Sequence, residues 1–242
     1  MPTQERQEPG VLSLLREAPL EVVGRLAHSS NATFLARVDG SDQTLAVYKP
    51  LAGERPLWDF PEGTLYRREV AAYEVSEALG WGLVPPTVER LEGPLGPGSA
   101  QLFIDHDPEE HYFTLLPTQG VYFRRLAVFD ILCNNADRKG GHCLVDESGR
   151  VWAVDHGLTF NVEPKLRTVI WDFAGKSIPA RERRAVGTLA ATIDERAELA
   201  ATLAGLLSAP EVRALRNRAM SLATPGRFPE PSSGWSFPWP LV

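Results

Sequence analysis

Cysteine is nearly absent from this chain. Its 242 residues hold two, Cys133 and Cys143, and they form no Cys-x-x-Cys pair. Structural zinc sites carry tighter paired ligands, so zinc is disfavoured even with His142 and His156 close by, and both cysteines read as small buried residues. Basic charge is also in short supply: 25 Lys and Arg stand against 31 Asp and Glu, a formal charge of −6. That balance argues against a protein held on nucleic acid by a broad basic surface. Long apolar runs are missing. No stretch reaches the roughly 18 residues of a membrane span, and the opening MPTQERQEPG has neither the basic end nor the apolar run of a signal peptide. A cytoplasmic protein with no transmembrane segment is expected. There is no internal repeat and no glycine-rich phosphate loop; the one biased segment is the Pro-, Ser- and Trp-rich tail 224–242.

What is present describes an ordinary globular protein, with 43% hydrophobic and 23% charged residues and, from 20 Gly and 20 Pro, many loops. The length suits one compact two-lobed unit of α+β class. A short helix before residue 18 precedes β-rich runs at 21–26 and 32–38, which flank a small polar turn, His28-Ser29-Ser30-Asn31, and read as a hairpin. A third run, Thr44 to Lys49, ends at Pro50. Thr64 is placed as the cap of a helix over 65–79 with Gly80 as its stop. Strands follow at 87–91 and 100–104, so the first 104 residues make a five-stranded antiparallel sheet with one helix. An acidic segment, 105–117, connects to a helix over 118–134, whose Tyr122, Leu126, Phe129 and Cys133 follow helical spacing. Residues 161–179 read as irregular. Helices over 179–208, with a break near Gly187, and 210–222 complete the 118–242 lobe. In the tail, Trp235, Phe237 and Trp239 are expected to pack on the body, since no basic cluster accompanies them for peripheral membrane contact.

Chemistry concentrates at 129–160, FDILCNNADRKGGHCLVDESGRVWAVDHGLTF. Asp137, Lys139 and His142 lie on a polar loop after a helix, and Asp155 follows the apolar run 151–154. Two carboxylates so carried can converge on a divalent cation, although each read singly is as well explained as a turn residue beside a hairpin. Lys49 ends a strand. Alternation points it to one face, beneath the Ser29-Ser30-Asn31 turn, whose small residues let backbone amides approach phosphate oxygens. Glu69 falls on the mainly small and apolar face of Leu65, Ala72, Tyr73, Ser76 and Leu79. A carboxylate there needs a partner, and Lys49 is the best candidate, with Arg68 or water the plainer choice.

A strand Lys, a helix Glu and a loop-plus-strand pair of Asp in this order resemble the protein-kinase-like fold. Asn135-Ala136-Asp137-Arg138 looks like the start of the Asn-x-Asp-Arg-His loop of HipA-type kinases. Ala136-Asp137-Arg138-Lys139-Gly140-Gly141-His142 is similar to the Asp-Arg-His-x-x-Asn loop of phosphatidylinositol 3-/4-kinases, and Ala153-Val154-Asp155-His156-Gly157-Leu158 to their metal-binding Asp motif. The chain therefore resembles a small, actinobacterial-type member of the phosphatidylinositol 3-/4-kinase-related family. The resemblance implies ATP with Mg²⁺ or Mn²⁺. Lys49 would contact the phosphates, Glu69 would hold Lys49, and Asp137 would orient or deprotonate an acceptor hydroxyl. Lys139 would reach the γ-phosphate, Asp155 would bind the metal, and backbone groups from Gln101 through Phe103 to Ile104 would hold adenine. His142 stands where the family carries an Asn metal ligand, which favours a softer ion such as Mn²⁺. The implied activity is a kinase acting on a protein, itself included, or an inositol-like or lipid acceptor. The alternatives are a pseudokinase or nucleotide-binding module without turnover and, third, AMP transfer to protein.

Overall fold

The computed structural model describes residues 8–26, 31–40, 44–195, 197–232 and 234–242. Five antiparallel strands, β1 (Leu20–Arg25), β2 (Phe34–Val38), β3 (Leu45–Pro50), β4 (Thr87–Arg90) and β5 (Gly98–Leu102), form one sheet in the order β1-β2-β3-β5-β4. The period-two rule holds along β3: Ala46, Tyr48 and Pro50 are buried, while Leu45, Val47 and Lys49 are half-buried on the opposite face. Register places Lys49 across from Ser99, between β2 and β5. Helix α1 (Glu8–Glu17) covers the sheet with Leu15, which clusters with Val38, Ala46, Val88 and Ala100. Of these, Leu15, Val38 and Val88 each contribute about 1.5–3 kcal/mol of transfer free energy.

The helix after β3, α2 (Leu65–Ala78), buries the expected Leu65, Glu69, Ala72, Tyr73 and Ser76, and Arg68 beside them. Thr64 does not cap it: its hydroxyl donates to the Pro61 carbonyl at 2.7 Å. Gly80, at φ +63°, ends it as expected. The next helix, α3 (Tyr112–Cys133), starts six residues before the predicted Thr118, because Pro117 sits inside it and Gln119 leaves helical geometry, joining two pieces across a kink. Asn134 closes α3 in the left-handed conformation, which Asn tolerates well.

A short hairpin of β6 (Cys143–Val145) and β7 (Val151–Ala153) follows, turned around Asp146, which accepts from the Ser148 and Arg150 amides at 2.9 and 3.0 Å. The chain enters this hairpin from 134–142 and leaves it through 154–160, so one small element presents both loops of interest. Helices α4 (Ala180–Glu195), α5 (Ala197–Leu206) and α6 (Ala209–Ala223) close the fold. The expected break near Gly187 is absent; α4 runs through it, and a Cβ there would stand 3.2 Å from that of Ala223, so the glycine serves the close packing of α4 on α6. The tail returns to the body by its backbone: the Leu241 carbonyl accepts from the Gly140 amide at 2.7 Å and that of Ser236 from Thr168 at 3.1 Å. Its rings do not all follow. Phe228 is buried against Phe173 and Phe237 meets Trp171, but Trp235 and Trp239 are 79% and 87% exposed. No described helix is long and apolar enough to cross a membrane.

Gly98 belongs to β5 and not to a loop, and a Cβ on it would lie 2.4 Å from the Lys49 carbonyl oxygen and 2.8 Å from Pro50 Cα. Gly98→Ala is therefore expected to push β3 aside at Lys49. It should cost about 1–3 kcal/mol, read as a lower midpoint in thermal unfolding, whereas Gly24→Ala, which meets nothing within 4 Å, should leave the midpoint unchanged.

Candidate active site

Lys49 reaches across from the sheet to both elements expected to meet it. Its ammonium hydrogen-bonds Glu69 Oε1 on α2 and lies 2.9 Å from Asp155 Oδ1 after β7. Two of its three N–H donors are thus engaged, leaving one. Burial works against the charge, but Asp155 and Glu69 together outweigh it and hold the Lys49 pKa above the ordinary lysine range. Burial also opposes the charge on Asp155, yet Lys49 and then His142 draw its pKa well below the carboxylate range; half of that side chain faces solvent, which screens the effect. Glu69 is buried, and its second oxygen accepts the His156 amide at 2.8 Å. The plainer pairing of Glu69 with Arg68 does not occur.

Asp155 sits at φ +60°, the left-handed region that costs most non-glycine residues about 1–2 kcal/mol and that Asp, like Asn, enters more readily than they do. Its Oδ2 faces His142 Nε2 at 3.3 Å, and His142 Nδ1 accepts weakly from the Lys139 amide at 3.4 Å. Those partners assign the proton to Nε2. Burial lowers the His142 pKa to about 4 against the pull of Asp155, so the ring is neutral. Asp137 is half-buried with Lys139 Nζ at 3.3 Å, and burial raises its pKa while Lys139 partly restores it.

Asp137, Asp155, Lys49 and Glu69 line one cavity of about 260 Å³ together with Asn31 and Arg55. A second, of about 370 Å³, adjoins it at Lys49 and Asp155 and is walled by Leu26, Val47, Phe103, Ile104, Leu144 and Val154. Gln101 also lines it, but its side-chain amide donates to Thr87 at 2.8 Å. The Phe103 amide serves the sheet at 2.9 Å, and the Ile104 carbonyl is met by His106 Nδ1 at 2.8 Å. Asn31 Oδ1 accepts the Arg55 amide at 2.9 Å. Ser29 and Ser30 lie outside the described residues. Cys133 and Cys143 are free and buried, and burial pushes the Cys143 thiol up to about 12.

Sequence reasoning passed over the residues that hold these loops. Arg138, fully buried, contacts Asp130 Oδ2 at 3.1 Å and donates to the Val154 carbonyl at 2.8 Å; its Nη2 lies 2.6 Å from His156 Nε2. Asn135 donates to Asp130 at 3.0 Å and accepts the Asp137 amide at 2.9 Å. Asp130 was the available signal, a carboxylate in the apolar run FDILC that needs a buried cation.

Over 94% of its length this chain is 42% identical to protein Rv2133c of Mycobacterium tuberculosis (strain ATCC 25618 / H37Rv), of which it also covers 94%. The chain belongs to the Rv2133c family. No protein-family model matches it. Among solved structures, this chain is similar to a Golgi casein kinase with Mn and ADP bound, at TM-score 0.57 and 14% identity over 89% of this chain and 74% of that one. It is also similar to hydra Fam20 with sugar, at TM-score 0.61 and 15% identity over 88% and 87%. This chain thus has a two-lobed, protein-kinase-like fold. The phosphatidylinositol 3-/4-kinase placement is not among these findings.

A neutral His142 at about 4, against about 6.5 when unfolded, means that the unfolded chain binds protons first as pH falls. This contribution to stability is full above pH 6.5 and is lost down to about pH 4. In metal-free protein, His142→Asn is expected to lose less stability over that window than wild type, by an amount on the order of 3 kcal/mol, measured by urea unfolding at each pH.

Proposed function

We propose that this Rv2133c-family chain is an ATP-dependent phosphotransferase of the atypical kinase-like type, acting on a hydroxyl of a protein, itself included, or of an inositol-like or lipid acceptor. The observation that carries this reading is the Lys49 ammonium held between Glu69 and Asp155, with Asp137 lining the same cavity. Lys49 meets the α- and β-phosphates and Glu69 holds it in place. Lys139 faces the charge on the γ-phosphoryl group. Asp137, made more basic by burial, takes the proton of the acceptor hydroxyl as its oxygen bonds phosphorus and ADP leaves. The apolar walls beside Lys49 suit a purine, and Ile104 keeps a second carbonyl lone pair for it. We place the lobes at 1–104 and 118–242, joined by 105–117, with this cleft between them.

The donor set fits a divalent ion held in part by substrate. Among the described residues no group of three or more His, Cys, Asp or Glu could hold a metal by itself, so Asp155 would share the ion with phosphate oxygens and water, as Mg²⁺ prefers. Bound there, the ion supplies neutralisation of the transferring phosphoryl group. His142 would join only by giving up the Nε2 proton it shares with Asp155, which Mn²⁺ favours over Mg²⁺. The fold likeness to a casein kinase with Mn and ADP, and the motif likeness to phosphatidylinositol 3-/4-kinases and HipA-type kinases, both support the class and leave the acceptor open.

One observation favours a second reading, a nucleotide-binding module without turnover: His142 is already engaged with Asp155 where the resembled kinases carry an Asn ligand. Turnover separates the two. With ³²P-labelled ATP and either Mg²⁺ or Mn²⁺, wild type is expected to release or transfer phosphate, and Asp137→Asn, Asp155→Asn and Lys49→Met to lose about 10²-fold or more. Calorimetric ATP binding with no turnover under either metal would favour the binding module, and rates unchanged in both Asp variants would remove the assignment.

A further inference from the structure

We infer that Arg68 is a positioning residue that fixes the geometry of the Asp155 loop from α2. The inference rests on the phosphotransferase reading for its catalytic consequence only. Arg68 and Glu69 are neighbours on α2, and they seize opposite ends of one turn. Glu69 Oε2 accepts the His156 amide at 2.8 Å, while Arg68 Nη1 donates to the Thr159 carbonyl at 2.6 Å. The other arm of the same guanidinium, Nη2, meets Glu211 Oε1 on α6 at 2.5 Å, and the Phe60 ring lies 5.0 Å from the group. Glu211 is itself immobilised, because its Oε2 accepts both the Ser208 amide and hydroxyl, at 2.8 and 2.7 Å. One side chain, 1% exposed, thereby joins the helix that carries Glu69, the loop that carries Asp155, and the last helix of the fold.

Stability alone does not account for this arrangement. A buried ion pair exchanged for apolar residues of similar volume commonly leaves stability equal or higher, so packing has simpler solutions at this position. A Met pair cannot donate to the Thr159 carbonyl. That bond matters because Asp155 stands at φ +60°, which its own backbone preference does not maintain, and the Arg68–Glu69 clamp spans the turn from His156 to Thr159. The clamp also denies α2 an outward swing: moving Glu69 away from Lys49 would strand a buried guanidinium and a buried carboxylate together. The site is accordingly built with its Lys–Glu pair closed.

The test is the double variant Arg68→Met/Glu211→Met, compared with wild type in three measurements. Thermal unfolding is expected to stay within a few degrees. Amide hydrogen exchange at His156, Thr159 and Phe160 in nucleotide-free protein is expected to quicken about tenfold, the factor carried by one lost charge-assisted hydrogen bond, with the β3 and β5 amides unchanged. With ATP and Mn²⁺, kcat should fall about tenfold or more and the KM for the metal should rise, while Arg68→Lys, which keeps the charge but not the planar fork, recovers part of both. Wild-type exchange at 156–160 in the double variant overturns the inference whatever the activity; so does quickened exchange with kcat and metal KM intact. If exchange responds as expected but wild type turns over no ATP with either metal, the phosphotransferase reading fails and the positioning of the loop stands. Should the double variant not fold, Arg68→Lys takes its place in the exchange experiment, since an ammonium lacks the fork that serves Glu211 and Thr159 at once; unchanged protection there overturns the inference equally.

Discussion

The buried guanidinium of Arg138 is the constraint on which the rest of this site depends. It has no contact with solvent, so every N–H it carries must be met inside the protein or cost the desolvation of an unpaired charge. Asp130 on α3 meets it from one side, the Val154 carbonyl from the loop after β7 meets it from another, and His156 faces it from the third. Asp137 precedes Arg138 and Asp155 precedes His156, so satisfying one cation sets the relative placement of the two carboxylates. An exposed ion pair would contribute little and tolerate many geometries; a fully desolvated one tolerates few. From His156 the constraint passes through its amide to Glu69, from Glu69 to Lys49, and from Lys49 back to Asp155. The site is a closed circuit of alternating charges, with its ends tied to α3 on one side and α2 on the other.

That circuit was legible in sequence at its rim and illegible at its centre, for a physical reason. Lys49 could be aimed because strands alternate with period two, and Glu69 could be paired because a carboxylate on an apolar helix face demands a cation. Asp137 and Asp155 stood out by their motif. Arg138 did not, because Arg is seldom fully buried and nothing in the residues around it says from which distant elements its partners arrive. Arg68 was hidden by the same expectation, being read only as an alternative partner for Glu69. Local irregularities were lost in another way. The helical spacing read from 118 missed the first turns of α3, which absorbs Pro117 at a kink, and Gly98, left outside the strand expected at 100–104, is required by the close approach of β5 to β3. Gly187 also looked like a break and is instead a contact point between two helices. Tertiary packing decided all three.

The charges themselves bear on what the site can accept. Within or beside it stand four cations, Lys49, Arg55, Arg138 and Lys139, and five carboxylates, Glu54, Glu69, Asp130, Asp137 and Asp155, with His142 neutral. Four positive and five negative charges sum to −1, on a chain whose formal charge is already −6. A polyphosphate carrying several negative charges gains nothing from such a field by itself, and at close range in a partly desolvated cleft the repulsion would outweigh the apolar contact offered to a purine. Arg138 cannot relieve it, because its donors are spent on Asp130, Val154 and His156. The one remaining donor of Lys49, the ammonium of Lys139 and the guanidinium of Arg55 are already offset by the carboxylates around them. A nucleotide therefore needs to bring compensating charge with it, and the half-exposed carboxylate of Asp155 is where that charge can be received without first burying it. Under the proposed function, a requirement for a divalent ion follows from this charge count as much as from the identity of any single ligand.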